Sequence, residues 1–224
     1  MAGIAENLQV VRARIGARPG VTLLAVSKGH GVQQIREAIA AGQEAFGENY
    51  VQDALPKMDA LQDLQLEWHL IGPLQSNKTR LAAEHFDWVQ TLDREKIARR
   101  LSDQRPVHRP PLNVLLQVNV SGEDSKSGVP PEEAERLAAA IAVMPRLRLR
   151  GLMAIPRSGD TAGFSRMKAL FDRLKAQFGM DTLSMGMSDD FEAAIAAGST
   201  MVRVGTAIFG ARSVGARGKV RSAA

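Results

Sequence analysis

Short apolar runs alternate along the chain with longer stretches whose apolar residues recur every three or four positions. The first pattern is typical of strands and the second of helices that bury one face. Eight strands are predicted, at residues 22–26, 44–47, 66–71, 88–91, 112–118, 149–154, 182–185 and 201–204. The helices predicted between them cover residues 32–41, 51–61, 78–84, 94–102, 131–144, 163–178 and 191–197.

Strands that alternate with helices in this way predict parallel βα units. Eight such units favour a single (β/α)8 TIM barrel, for which about 250 residues is typical. A doubly wound open sheet is the alternative, because periodicity does not distinguish the two. Ile4, Leu8, Val11 and Ile15 form one stripe and predict an extra N-terminal helix. We expect one domain over residues 1–224, with a frayed tail at about 213–224.

The composition argues against several kinds of site and partner. The chain has 45% apolar residues and no cysteine, which excludes disulfides, thiolate metal sites and cysteine nucleophiles. It carries neither a membrane-spanning run nor a signal-peptide pattern, so we expect a cytoplasmic protein. The net charge of +5 is dispersed rather than clustered, which argues against nucleic-acid binding.

Polar residues at the predicted strand ends are the candidates for chemistry, because barrel enzymes place their sites there. Lys28 ends the first strand, and Glu48 and Asn49 follow the second. A neutral lysine amine attacks an aldehyde to form a Schiff base. The competing interpretation of Lys28 is an ordinary lysine that extends to solvent.

The loops after strands seven and eight predict a phosphate site, which is frequent at that position in this fold. Gly205 allows close backbone approach, and Ser188 and Thr206 supply hydroxyls. Ser188 is also predicted to cap a following helix, whose N-terminus would favour an anion. Capping and turn formation alone would explain the same residues.

Two further residues have open assignments. Arg203, in an otherwise apolar strand, points either outward or into the barrel mouth, where it would donate to a ring nitrogen or a carboxylate. His69 faces away from Trp68 by strand alternation, and a buried packing role is the simplest interpretation. The histidines are not at metal-ligand spacing, so we expect no metal site.

Seven collinear motifs together resemble the pyridoxal phosphate homeostasis proteins, of the YggS/PROSC type. They are AVSK (25–28), FGENY (46–50), WHLIGPLQSNK (68–78), SKSG (125–128), GLMAI (151–155), LSMGMSDD (183–190) and RVGTAIFG (203–210). This family is similar to the barrel domain of alanine racemase. The sequence departs from the family at residues 29–31, where Gly-His-Gly stands in place of a Thr-Lys-Pro type stretch.

The resemblance implies that pyridoxal 5′-phosphate (PLP) is held as a Schiff base on Lys28. It implies phosphate binding by Ser188, Gly205 and Thr206, a contact of Arg203 with the pyridine nitrogen, and Asn49 near the ring. It places His69 and Met185 beside the cofactor pocket. Lys126, in the SKSG motif, is a possible second contact with PLP.

Three functions follow as hypotheses. The first is a PLP-binding protein in intracellular vitamin B6 homeostasis or delivery, without robust catalysis and with apo PLP-dependent enzymes as possible partners. The second is a PLP-dependent amino-acid racemase, and the third is a PLP-independent enzyme for a phosphorylated substrate. Two-base racemisation needs a second acid–base group, and the chain has one tyrosine, Tyr50, and no recognisable second domain. The first hypothesis is therefore favoured, with a monomer as the expected state.

Overall fold

The computed structural model describes residues 3–16, 18, 20–123, 126–157 and 159–211. Within these ranges, eight parallel strands form a closed barrel in chain order. The strands are β1 (Thr22–Val26), β2 (Ala45–Glu48), β3 (Glu67–Leu70), β4 (Trp88–Leu92), β5 (Leu112–Gln117), β6 (Leu147–Met153), β7 (Thr182–Ser184) and β8 (Met201–Val204).

Pairing between the first and last strands closes the sheet. Thr22 lies opposite Met201, and Ala25 lies opposite Val204, in parallel register. An open doubly wound sheet would leave β1 and β8 apart, so this pairing excludes the alternative and confirms the predicted barrel.

Helices follow the strands on the outside. They are α1 (Ile4–Ile15), α2 (Val32–Ala40), α3 (Val51–Ala60), α4 (Thr79–His85), α5 (Glu95–Gln104), α6 (Ala134–Ala142), α7 (Thr161–Phe178), α8 (Phe191–Ala196) and α9 (Thr206–Phe209). The predicted N-terminal helix is α1, which packs against α2, α8 and α9 with its stripe of four aliphatic residues buried. The Asn7 side chain ties it to the last helix by donating to the Ile208 carbonyl at 2.9 Å.

Differences from the predicted elements are local. Residues 131–133 form a 3-10 turn before α6, in which Pro131 occupies a first-turn position that needs no N–H donor. The short helix α9 was not predicted, because four residues are too few to display a helical period. The expected frayed tail at 213–224 lies outside the described residues.

The core has three clusters of buried apolar residues, one outside the sheet and two smaller ones on the opposite phase of the strands. The largest cluster lies between the strands and the helices and includes Trp68, Val202 and Val204. One of the smaller clusters includes Leu24, Val26 and Met201. Since side chains alternate across a strand, the two smaller clusters fill the barrel. Several polar side chains share their phase, and they form the base of the site below.

Candidate cofactor site

A cavity of about 250 Å³ opens at the carboxyl ends of the strands, where barrel proteins place their functional residues. It brings together six of the residues predicted from the sequence. The lining consists of Val26, Lys28, Asn49, Ile71, Ile155, Met187, Ser188, Asp189, Arg203, Gly205 and Thr206. Apolar walls with a few convergent polar groups are typical of a small-molecule site.

Lys28 lies in this cavity two residues after the end of β1, and its side chain is partly buried. The backbone that carries it is anchored by a buried ion pair. Lys57 Nζ donates to Glu48 Oε1 at 2.6 Å and to the Ser27 carbonyl at 2.9 Å. The Ser27 hydroxyl donates to the same Glu48 oxygen at 2.6 Å. The residue next to Lys28 is therefore fixed to β2 and α3.

Sequence reasoning missed this support. The sequence predicts Glu48 only as a polar residue after the second strand, and it gives no indication that Lys57 is its partner. The signal available was an acidic residue at the end of an apolar strand, since a fully buried carboxylate requires a charged partner. The sequence offers many cations, and only the packing of α3 on β2 selects Lys57.

The loops after β7 and β8 form the opposite wall. Gly186 has φ +96°, a conformation that other residues rarely adopt, and a Cβ there would lie 2.5 Å from the Ala194 side chain. This compact turn brings Ser188 beside the start of α9, where its Oγ accepts from the Ala207 N–H at 3.4 Å. Ser188, Gly205 and Thr206 thus meet at one place, with the N-terminus of a short helix among them.

The prediction that Ser188 caps a helix was wrong. Residues 188–190 form a turn, and α8 begins later, with Asp190 as its N-cap residue. The Asp190 carboxylate accepts from the Met187 N–H at 2.7 Å, which closes this turn before the helix starts. The turn leaves Ser188 beside β8 instead of at the start of α8.

Arg203 points into the barrel, which resolves the two orientations that the sequence left open. It is 4% exposed and still lines the cavity. Its Nη1 donates to Ser184 Oγ at 2.7 Å, and its Nη2 donates to the Ala154 carbonyl at 2.9 Å. Burial lowers the pKa of Arg203 to about 10, and the charge of Asp190 opposes that shift. The group is therefore a fixed cation at neutral pH.

Asn49 is held at the cavity by a close backbone approach. A Cβ on Gly72, after β3, would lie 2.1 Å from the Asn49 carbonyl oxygen, so only glycine fits. Asn49 also lines an adjoining cavity of about 220 Å³ that includes Lys126. Lys126 donates to the Ile155 carbonyl at 3.3 Å and pairs with Glu123 at 2.9 Å.

The structure does not bring His69 or Met185 to the lining of either cavity. Both side chains are fully buried. His69 stacks on Trp88 inside the barrel, with ring centroids 5.0 Å apart, and it contacts polar neighbours there. Met185 belongs to the core outside the sheet. Among the described residues, no group of three or more His, Asp or Glu side chains is placed to hold a metal ion.

Comparisons with known proteins identify the family of this chain. A family model described as the alanine racemase N-terminal domain matches residues 1–213. A pyridoxal phosphate homeostasis protein of Pseudomonas aeruginosa is 58% identical over 229 residues, covering 96% of this chain and 99% of that protein. The protein of the same description from Escherichia coli K12 is 58% identical over 231 residues, covering 95% and 98%.

Two solved structures are also similar to this chain. PipY of Synechococcus elongatus with PLP bound is 39% identical, with a TM-score of 0.83, and the match covers 92% of this chain and 100% of PipY. Alanine racemase of Corynebacterium glutamicum is 20% identical, with a TM-score of 0.71, and covers 95% of this chain and 61% of the racemase. At that identity the second likeness concerns the fold alone.

Among helices in the described ranges, none has the length and apolar character needed to span a bilayer.

Proposed function

The chain belongs to the family of pyridoxal phosphate homeostasis proteins, and we propose that it binds PLP as a Schiff base on Lys28 for intracellular PLP homeostasis or delivery, without robust catalysis. One observation carries the proposal. An amine, two hydroxyls and a buried guanidinium line the same cavity: Lys28, Ser188, Thr206 and Arg203. This set matches the aldehyde, the phosphate and the ring nitrogen of PLP.

Each wall has a distinct task. Lys28 supplies the amine for the aldehyde. Ser188 and Thr206 bind phosphate oxygens with their hydroxyls, and Ser188 is positioned for this by accepting the Ala207 N–H at the start of α9, which leaves its own proton available to donate. Gly205 lies against β1, where a Cβ would meet the Val26 carbonyl oxygen at 3.2 Å, so the absence of a side chain keeps the cavity open.

Arg203 affects how strongly the ring of bound PLP withdraws electrons. PLP bound to an enzyme acts as an electron sink, most strongly when its ring nitrogen is protonated. A guanidinium can only donate hydrogen bonds, so Arg203 favours an unprotonated ring nitrogen. With Arg203 at this position, the ring is a weaker electron sink than it would be beside a carboxylate.

The described part of the cavity lining offers little for two-base chemistry. Tyr50, the single tyrosine of the sequence, is 44% exposed and does not line the cavity. Asp189 does line it, but it is exposed to solvent at the rim. A racemase needs an acid–base group on each face of its substrate. These placements support a carrier rather than a racemase.

Delivery requires that PLP can leave. Thr206 and Met187 are exposed at the rim, so the cavity remains open to a partner or to free amines. We therefore propose that the chain acts as one domain, as a monomer in the cytoplasm, with apo forms of PLP-dependent enzymes as recipients. Lys126 in the adjoining cavity is the candidate for a second PLP contact.

Titration of the purified protein with PLP tests the binding proposal. We expect a Schiff-base absorbance band. After borohydride reduction, the intact mass should increase by one PLP group, and peptide mapping should locate that group on the peptide that contains Lys28. Lys28→Ala removes both signals, whereas Lys168→Ala, a change of an exposed lysine on α7, leaves them intact. Wild-type protein that gains no band, or whose label stays in the Lys28→Ala variant, contradicts the proposal.

Catalysis is tested separately. PLP-loaded protein is incubated with L-alanine, and the appearance of D-alanine is followed by chiral chromatography. We expect no turnover at ordinary enzyme rates, which have a median near 10 s⁻¹ for kcat. Turnover in that range would establish a racemase instead.

A further inference from the structure

A chain of hydrogen bonds crosses the inside of the barrel below the cavity. Arg203 Nη1 contacts Ser184 Oγ at 2.7 Å, and Ser184 Oγ contacts Gln90 Oε1 at 2.7 Å. Gln90 Nε2 contacts His69 Nδ1 at 2.8 Å, and His69 Nε2 contacts Glu67 Oε1 at 2.8 Å. The chain joins β8, β7, β4 and β3 through side chains alone.

The chain has one consistent direction. Arg203 can only donate, so the Ser184 hydroxyl accepts from it and gives its own proton to the Gln90 carbonyl oxygen. The Gln90 amide then presents N–H to His69, so Nδ1 of that ring must accept. His69 is therefore protonated at Nε2 and donates to Glu67. A cation lies at one end of the chain and a carboxylate at the other.

The surroundings favour this arrangement over alternatives. Ser184, Gln90 and His69 are all fully buried, so no bulk water competes for their hydrogen bonds. The second N–H of Gln90 donates to the Met201 sulfur at 3.2 Å, and the His69 ring lies nearly parallel to Trp88, at 10°. Reversing the Gln90 amide would turn an N–H toward Ser184 and leave the serine proton without its acceptor.

The two ends of the chain reach different surfaces. Arg203 lines the cofactor cavity, whereas Glu67 lines a separate cavity of about 410 Å³ at the amino ends of the strands. The Glu67 side chain is 45% exposed there, and Arg150 and Asp87 are the other charged groups that act on Glu67 and His69. The chain thus connects the cofactor site with solvent on the opposite face.

We propose that Ser184, Gln90 and His69 are positioning residues, which hold the Arg203 guanidinium in the cavity wall although none of them lines the cavity. The inference rests on the proposed function, because its consequence is a change in PLP binding. When the row of hydrogen bonds is interrupted, Arg203 loses a fixed acceptor, and its donor groups no longer point at the ring nitrogen. Phosphate binding at the other end of the cavity is unaffected.

A double-mutant cycle tests action through Arg203. Gln90→Met keeps the shape of the side chain and removes its polar atoms. We expect it to raise the Kd for PLP about tenfold, the scale of one hydrogen bond to a charged group. In an Arg203→Met background the same change has no further effect. Ser184→Ala behaves like Gln90→Met, whereas Ser199→Ala, which removes another buried hydroxyl, leaves the Kd unchanged.

The outcomes separate the two proposals. If the wild-type protein binds no PLP, the proposed function fails. If it binds PLP but Gln90→Met costs the same with and without Arg203, the positioning role is wrong. Nitrogen-15 NMR of the apo wild-type protein gives a measurement that needs no variant to fold. We expect His69 as the Nε2–H tautomer at neutral pH, and an Nδ1–H tautomer overturns the directed chain.

Discussion

Lys57 Nζ lies 2.6 Å from Glu48 Oε1, in an ion pair whose side chains are 12% and 1% exposed. The pair joins α3 to the end of β2, and its lysine also holds the Ser27 carbonyl next to the proposed PLP lysine. A buried carboxylate with no cation is strongly unfavourable, so much of the local order around Lys28 depends on Lys57.

Lys57→Met should therefore lower the free energy of unfolding by about 3 kcal/mol, the cost of removing one partner of a buried pair. Urea denaturation at neutral pH measures it. Lys168→Met, which breaks the exposed pair of Lys168 with Asp172, is the matched control and should change little. The double variant Glu48→Leu/Lys57→Met should recover part of the loss. Equal effects of the two single lysine variants would contradict this account.

Gly72→Ala tests the close contact that places Asn49. A methyl group 2.1 Å from the Asn49 carbonyl oxygen forces the backbone apart, and we expect a loss of about 1–3 kcal/mol in stability. PLP affinity should fall as well, because Asn49 moves. Gly3→Ala adds a methyl where no atom lies within 4 Å, so it should cost only the preference for glycine at the N-cap of α1 and leave PLP affinity unchanged. An unchanged melting temperature for Gly72→Ala would show that the contact relaxes freely.

Ser188→Ala should weaken PLP binding about tenfold, since a hydrogen bond to a charged phosphate is lost. Binding of pyridoxal, which lacks the phosphate, should stay the same. Comparing the two dissociation constants by absorbance titration isolates the phosphate contribution. Ser102→Ala, in α5, removes a buried hydroxyl outside the lining residues and serves as the control. Equal losses for PLP and pyridoxal would place Ser188 away from the phosphate.

Stability should fall in acid because of the buried imidazole. Burial lowers the pKa of His69, against the opposing effect of its hydrogen bond with Glu67. The unfolded chain takes up the histidine proton near pH 6.5 while the folded chain does not, so unfolding is favoured below that pH. The hydrogen bond from His69 lowers the pKa of Glu67, and the stability it contributes is lost at still lower pH, as that carboxylate protonates.

We expect the free energy of unfolding to decrease by up to about 1.4 kcal/mol per pH unit from this histidine below pH 6.5. Denaturant titrations between pH 7.5 and about 5 measure the slope. His69→Gln should flatten it, whereas His85→Gln, at an exposed position on α4, should not. A wild-type slope that survives in His69→Gln would assign the acid sensitivity to other groups.

The sequence by itself determined the eight alternating strands and helices and most of the candidate site, whereas closure of the barrel depended on the pairing of β1 with β8. Strands and helices have different periods of apolar residues, so their alternation could be predicted without any contact information. Six residues that the sequence predicted line the cavity: Lys28, Asn49, Ser188, Arg203, Gly205 and Thr206. These residues follow strand ends, and parallel strands deliver all such ends to one face. Element order alone was therefore enough to gather them.

Only the tertiary structure decided which side of the sheet a strand residue faces and which buried polar side chains contact each other across the barrel. Arg203 could face either way until closure of β8 on β1 fixed the inward side. Gln90 and Ser184 are 94 positions apart, and no local pattern relates them or pairs Lys57 with Glu48. Buried polar side chains must find partners wherever the fold supplies them. Those partners come from distant segments, so only the assembled barrel specifies them.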